Sequence, residues 1–242
     1  IFVTISTILL CVNGFAQKQK YVVGFYNLEN LFDIYDEPGN NDEEFLPDGK
    51  NKWTEAKYKK KLFNMAHVIR AMKEDNGVYH TILGVSEIEN RLVLEDLVSQ
   101  DEIVDANFQI VHYDSPDRRG VDVALLYRPD QFDYIDSESL PFTFSPTQVK
   151  ITLNQEEQDY FRTRDILMVH GLIDGEHFAF YVAHLPSRIG GKGSDLRSRG
   201  AEIIYNHASE MEKKYPGIKI VVMGDMNENP TDESMTVWMH CE

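Results

Sequence analysis

The stretch Ile218-Lys219-Ile220-Val221-Val222-Met223-Gly224-Asp225-Met226-Asn227 decides how this chain is to be read. A β-branched run that closes on Gly-Asp-x-Asn reads as a strand ending in an acid and an amide. Alternate side chains of an extended chain share a face, so Asp225 and Asn227 are expected to project together into a cleft above the sheet. The carboxylate can hold a metal ion or position a water, and the amide can donate and accept at once. The same letters also make an ordinary turn between strand and helix, so the pair needs support from the rest of the chain.

That support comes from three more apolar runs with polar endings. Tyr21–Asn30 reads as a strand that delivers Asn27, Thr81–Asn90 as one that delivers Glu87, and His177–Ser187 as one that delivers His184. Between them the pattern predicts a helix capped by Thr54 and running to about Met72, with Tyr58, Leu62, Met65, Ile69 and Met72 on one face. A short helix is expected over Arg91–Val98, strands over Phe108–Tyr113 and Val121–Arg128, and extended chain over Phe132–Phe144. Ile166–Ile173 and Phe178–His184 read as a hairpin about Asp174-Gly175, followed by a helix over Ser194–Lys213 and another over Ser234–His240. The acidic, Gly/Pro/Asn-rich segment Asp33–Lys52 is too long for a simple connection and is expected near the site or loosely held. Strands alternating with helices indicate an α/β protein. Periodicity alone allows either one doubly wound sheet or two sheets packed face to face.

Composition narrows the partners. The hydrophobic share of 42% excludes a disordered chain, and the net charge of −16 argues against a broad basic surface for nucleic acid. A local basic groove remains open, because Arg118, Arg119, Arg162, Arg164, Arg188, Lys192, Arg197 and Arg199 gather in two loop regions. The apolar stretch Ile1–Cys11, followed by Gly14-Phe15-Ala16, reads as part of a secretory signal over residues 1–16. A lipid anchor through Cys11 is the weaker reading, since Leu10 is bulky where a small residue is wanted. With Cys11 removed only Cys241 is left, so no internal disulfide is expected. His67, His80, His112, His170, His177 and His207 show no His-x-x-x-His spacing, which argues against zinc.

In that order, Asn27, Glu87, His184 and Asp225/Asn227 resemble the endonuclease/exonuclease/phosphatase superfamily, which includes DNase I-like nucleases and lipid phosphodiesterases. Asp117–Tyr127 resembles the family's central strand, and Arg162–Leu167 the arginine-bearing strand after it. The resemblance covers nearly the whole chain from about Tyr21 and implies one domain over residues 20–242. It decides for a four-layer α/β/β/α sandwich of two mixed sheets with helices outside. It further implies a phosphoesterase that uses Mg²⁺, with Mn²⁺ left open, and acts on phosphodiesters, most plainly as a nuclease; with the leader this makes it an exported enzyme. Glu87 becomes the metal ligand, with Glu89 its nearest rival. His184 becomes a phosphate contact or general acid whose pKa suits neutral pH. Asp225 orients or deprotonates the water, while Asn27 and Asn227 hold water and phosphate. Arg164, Arg162 and Arg188 become substrate contacts. A lipid phosphodiesterase or phosphomonoesterase of the same fold is the alternative, and a secreted binding module with a degenerate site is the alternative from another class. Asp122, inside a strand, is expected to pair with Arg119 and to take no part in the reaction.

The resemblance also implies a closing strand and a Ser-Asp-His type turn, whose histidine is the water-activating base. None stands between Asn227 and Glu242, and His240 has no Ser-Asp before it. The sequence is therefore expected to be an incomplete reading of a longer protein lacking its last strands, and the chain as it stands to fold poorly or turn over slowly.

Overall fold

The computed structural model of the protein describes residues 19–188 and 193–240. The expected leader, Cys11, Cys241 and Lys192 lie outside the described residues. Within them the chain folds into two four-stranded mixed sheets with helices on the outer faces. The expected layered sandwich is the observed architecture, and the single doubly wound sheet is not.

The first sheet contains β1 (Val23–Leu31), β2 (Ile82–Ile88), β3 (Gln109–His112) and β4 (Asp122–Tyr127), in the order β1-β2-β4-β3. β1 and β2 run parallel, joined by the crossover helix α1 (Glu55–Asn76), and β4 lies antiparallel to both its neighbours. Helix α1 buries Tyr58, Leu62, Ala66 and Ile69 at helical spacing, and it stops where Gly77 takes a left-handed φ of 78°. Thr54 precedes it as expected, but its side chain makes no capping bond. With α2 (Arg91–Val98), whose Asn90 cap accepts from the Val93 amide, α1 covers one face of the first sheet.

The second sheet, β5-β6-β7-β8, is built from Asp133–Leu140, Ile166–Ile173, Glu176–His184 and Lys219–Asp225. β6 and β7 form the expected hairpin, and β8 returns parallel to β7 after helix α4 (Ser194–Lys214). Ile204 and Met211 of α4 pack on Met168, Ala179 and Tyr181 of the sheet beneath. A buried side chain of this size contributes roughly 1.5–3 kcal/mol, so this face anchors the helix against the sheet. Between the sheets lie Ile82, Val123, Leu125, Leu167, Val169, Phe180, Val182 and Met223. Gly84 lets them approach, because a Cβ there would sit 2.6 Å from the Met223 sulfur.

Two expectations are corrected here. The segment expected to be extended through Phe144 is strand only to Leu140, and the chain then forms a further helix, α3 (Gln155–Tyr160). Its signal was present in the sequence. Asn154 and Glu157 make a reciprocal capping box, the acceptor-x-x-Glu pattern that opens many helices. The stretch Ser234–His240 forms one π-helical turn, Ser234–Trp238. The acidic segment Asp33–Lys52 is held to the body: Phe45 stacks on Phe32 at 4.1 Å and Trp53 donates to the Phe32 carbonyl. No helix among the described residues is long and apolar enough to cross a membrane.

Candidate active site

Both parallel pairs, β1-β2 and β7-β8, end on the same rim of the sandwich, and the polar residues meet there, Asn27 lying within β1 just before its register slips rather than at the strand's end. In register, Asn27 pairs with Ser86 across β1 and β2, and His184 pairs with Asp225 across β7 and β8. The sheets then join: Asn27 Nδ2 donates to Asp225 Oδ2 at 3.4 Å, and His184 Nε2 lies 3.8 Å from Glu87 Oε1. Glu87, His184, Asp225 and Asn227 thus line a single cavity of about 370 Å³, together with Arg119, Arg162, Arg164 and Ser187.

Glu87 reaches this cavity through a bulge. Leu83 and Val85 face the helix layer, and regular alternation would send residue 87 there too. At Glu87 the backbone turns left-handed (φ 57°), the register with β4 slips, and Ile88 takes the helix-facing place. Such a conformation costs on the order of 1–3 kcal/mol, held in place by the strands on either side. Glu89, the rival ligand, is buried away from this cavity. Its carboxylate accepts from the Asp33 amide at 2.7 Å.

Asp225 and Asn227 do converge, but not by strand alternation. β8 ends at Asp225, Asn227 is left-handed (φ 52°), and its amide N–H donates to Asp225 Oδ1 at 3.1 Å. The acid and the amide are joined by a local side-chain turn, while Asn227 Nδ2 donates to the Leu185 carbonyl at 3.0 Å. Gly224 makes the approach to β7 feasible. At φ 149° a Cβ would overlap the carbonyl of Ala183.

The arginines divide. Arg164 is buried and spends its fork inside the protein: Nε donates to the His184 carbonyl (3.0 Å), Nη2 to the Leu185 carbonyl (3.1 Å) and Nη1 to Asp117 (2.9 Å). It fixes the backbone that carries His184. Arg162 is exposed on the cavity wall, with Nη1 on the carbonyls of Asp159 and Phe161. Arg188 is drawn to the loop beyond Asn227, bonding to the Asn227 carbonyl, Glu228 and Asp232. Arg119 lines the cavity, a position the sequence reading did not assign to it. It does not pair with Asp122, which is bonded to His112 (3.0 Å) and to the Ser115 amide.

His184 is buried, and that burial, with Arg164 and Arg119 nearby, pushes its pKa down to about 4. The ring is neutral across physiological pH, so it offers a hydrogen bond rather than the near-neutral titration expected of it. Its Nδ1 is buried without a partner. Glu87 and Asp225 face one cavity and neither is ion-paired to a lysine or arginine among the described residues. Two unpaired carboxylates with neighbouring amide oxygens suit a hard divalent cation that keeps several waters. The described residues hold one tighter acid–histidine group, His112, Asp114 and Asp122, on the edge of the first sheet. His170 and His177 also meet, at 2.9 Å across the β6–β7 hairpin, a pairing that sequence spacing could not show.

Glu89 gives a test of the electrostatics. Burial first, then the charges of Asp33, Asp42 and Glu37, raise its pKa to about 8, against the opposing bond from the Asp33 amide. The folded protein therefore holds this proton to about pH 8, whereas the unfolded chain releases it near 4.5. Its contribution is intact below the unfolded value and is lost as pH rises through the folded one. Glu89→Gln is expected to flatten that slope and to be more stable than the wild type at pH 8 by a few kcal/mol. Urea unfolding at pH 5 and pH 8 measures it; equal slopes for the two proteins would contradict the assignment.

Residues 22–241 match the model of the Endonuclease/Exonuclease/phosphatase family, and the chain belongs to that family. No curated protein sequence matches it. Among solved structures, a mannosyl-6-phosphatase from Bacteroides thetaiotaomicron VPI-5482 is 16% identical with a TM-score of 0.58, over 90% of this chain and 69% of that one. A conserved protein of unknown function from Enterococcus faecalis V583 is 15% identical with a TM-score of 0.57, over 90% and 71%. A humanized D. rerio TDP2 is 12% identical with a TM-score of 0.50, over 87% of this chain and 63% of that one. These likenesses establish the shared fold.

Proposed function

We propose that this protein is an exported, Mg²⁺-dependent phosphoesterase that hydrolyses phosphodiester bonds as a nuclease. The observation that carries the reading is the convergence of Glu87, His184, Asp225 and Asn227 with Arg119 and Arg162 on one cavity at the rim where the sheets meet. Glu87 and Asp225 would hold the cation. When bound, it supplies Lewis acidity to the phosphoryl oxygen and charge balance to the leaving oxygen. Asp225, fixed by the Asn227 amide and by Asn27, orients the attacking water or takes its proton. Asn27 and Asn227 keep water and phosphate in line. Neutral His184 donates a hydrogen bond to a non-bridging oxygen, and Arg119 and Arg162 offset the charge that gathers there. Arg164 acts through position, by holding the His184 and Leu185 carbonyls. Export rests on the apolar stretch Ile1–Cys11 and the small-residue site after it.

A phosphomonoesterase of the same fold is the second reading, favoured by the mannosyl-6-phosphatase among the similar structures. Nicking of supercoiled plasmid and phosphate release from mannose 6-phosphate, each with Mg²⁺ and with excess chelator, separate the two. We expect nicking that the chelator abolishes and little phosphate release. Release without nicking would select the monoesterase, and neither activity would refute both.

A further inference from the structure

A second cavity of about 480 Å³ adjoins the candidate active site, and the two share Phe161, Arg162 and Thr163 as a common wall. Its floor is aromatic. Phe142, Phe144 and Phe161 meet as a triad, with ring centroids 6.5, 6.0 and 5.8 Å apart, and all three are half-buried. Three phenyl rings left partly open beside a polar site need a reason, because their apolar faces would otherwise be covered by the core.

One polar group in this wall is also unmet. Gln158 donates through Nε2 to the carbonyls of Pro146 and Leu153, and its Oε1 is buried with no partner. That oxygen is closed off from solvent, so Gln158 orders the wall through its amide rather than meeting a ligand. The loop that builds the platform is fastened at its middle. Asp195, at the start of α4, accepts from the Ile151 and Thr152 amides, and the Asn154–Glu157 box caps α3. Arg118 also donates to the Tyr160 carbonyl, tying α3 to the turn that carries Arg119.

We propose that this cavity is a nucleobase subsite: the base next to the scissile phosphate stacks on the face of Phe144, with Phe161, inclined to it by 64°, closing the base's edge. The assignment rests on the phosphoesterase reading for the neighbouring cavity and extends it to the substrate's identity. Stacking accepts any base because each has a π-face, so the subsite asks for a base without selecting which. Arg162, on the shared wall, stands between base and phosphate.

The test is a calorimetric titration of the full chain with AMP and with ribose 5-phosphate, without divalent metal so that binding is read apart from turnover. Wild type is expected to bind AMP about 10-fold more tightly. Phe144→Ala should bring that ratio close to one, and Phe144→Trp should keep it, with thermal melts confirming that both variants fold. Equal affinities in the wild type, a ratio unchanged by Phe144→Ala, or glucose 6-phosphate binding as tightly as AMP would each overturn the subsite. Absence of plasmid nicking would count against the nuclease reading while leaving this ratio measurable.

Discussion

Asp225→Asn is expected to lower kcat for phosphodiester hydrolysis by on the order of 10²–10³-fold, with KM little changed. Asp225 accepts from two donors, the Asn227 amide at 3.1 Å and Asn27 Nδ2 at 3.4 Å. Asparagine keeps the shape but loses the charge, and its NH₂ would face one of those donors. The water would then lose the carboxylate that orients it or takes its proton, and the cation one of its two carboxylates, whereas the phosphate would still meet Arg119 and Arg162. The strand pairing of β8 is unaffected, so the melting temperature should move by only a few degrees, on the scale of about 1 kcal/mol. Steady-state kinetics at saturating Mg²⁺ provide the check. An unchanged kcat would remove Asp225 from the reaction.

Arg164→Met is expected to destabilise the fold by about 3–5 kcal/mol. The pair with Asp117 is 2.9 Å long, and its side chains are only 7% and 6% exposed. Methionine fills much of the volume but removes the charged partner of a buried carboxylate and a donor from the His184 and Leu185 carbonyls, the latter keeping only Asn227, and an unpaired buried charge is the costly part. Adding Asp117→Asn should recover some of the loss, since it removes that charge. Lysine should not substitute, because one ammonium cannot serve three acceptors spread around a planar fork. Urea unfolding of the single and double variants measures this. A stable Arg164→Met protein with only a raised KM would instead make Arg164 a substrate contact, the role its sequence suggested.

The contrast at Arg164 shows what the sequence carried and what it did not. The apolar runs that became β2, β6, β7 and β8 were legible because their burial imposes a pattern on every second residue or on the whole run. The polar residues at the ends of β2, β7 and β8, namely Glu87, His184 and Asp225, were visible for the same reason, and Asn27 stood out within the run that became β1. The means by which they meet was not. The bulge at Glu87 and the left-handed Asn227 are local departures from alternation, and they are set by neighbours in other strands. Whether an arginine points at a ligand or at backbone carbonyls depends on a partner such as Asp117, 47 positions away. The titration of His184 was misjudged for a related reason, because burial and two nearby guanidiniums act through space. Helix α3 could have been found from Asn154 and Glu157 alone, since a capping box is a short-range signal.

The central claim is that Glu87 anchors a divalent cation at the rim where the two sheets join, and a calorimetric titration with Mg²⁺ tests it most directly. Wild type should bind the ion, Glu87→Gln should give no binding heat, and His112→Gln, away from this cavity, should match the wild type. Undiminished Mg²⁺ binding by Glu87→Gln, or its loss in His112→Gln alone, would contradict the account.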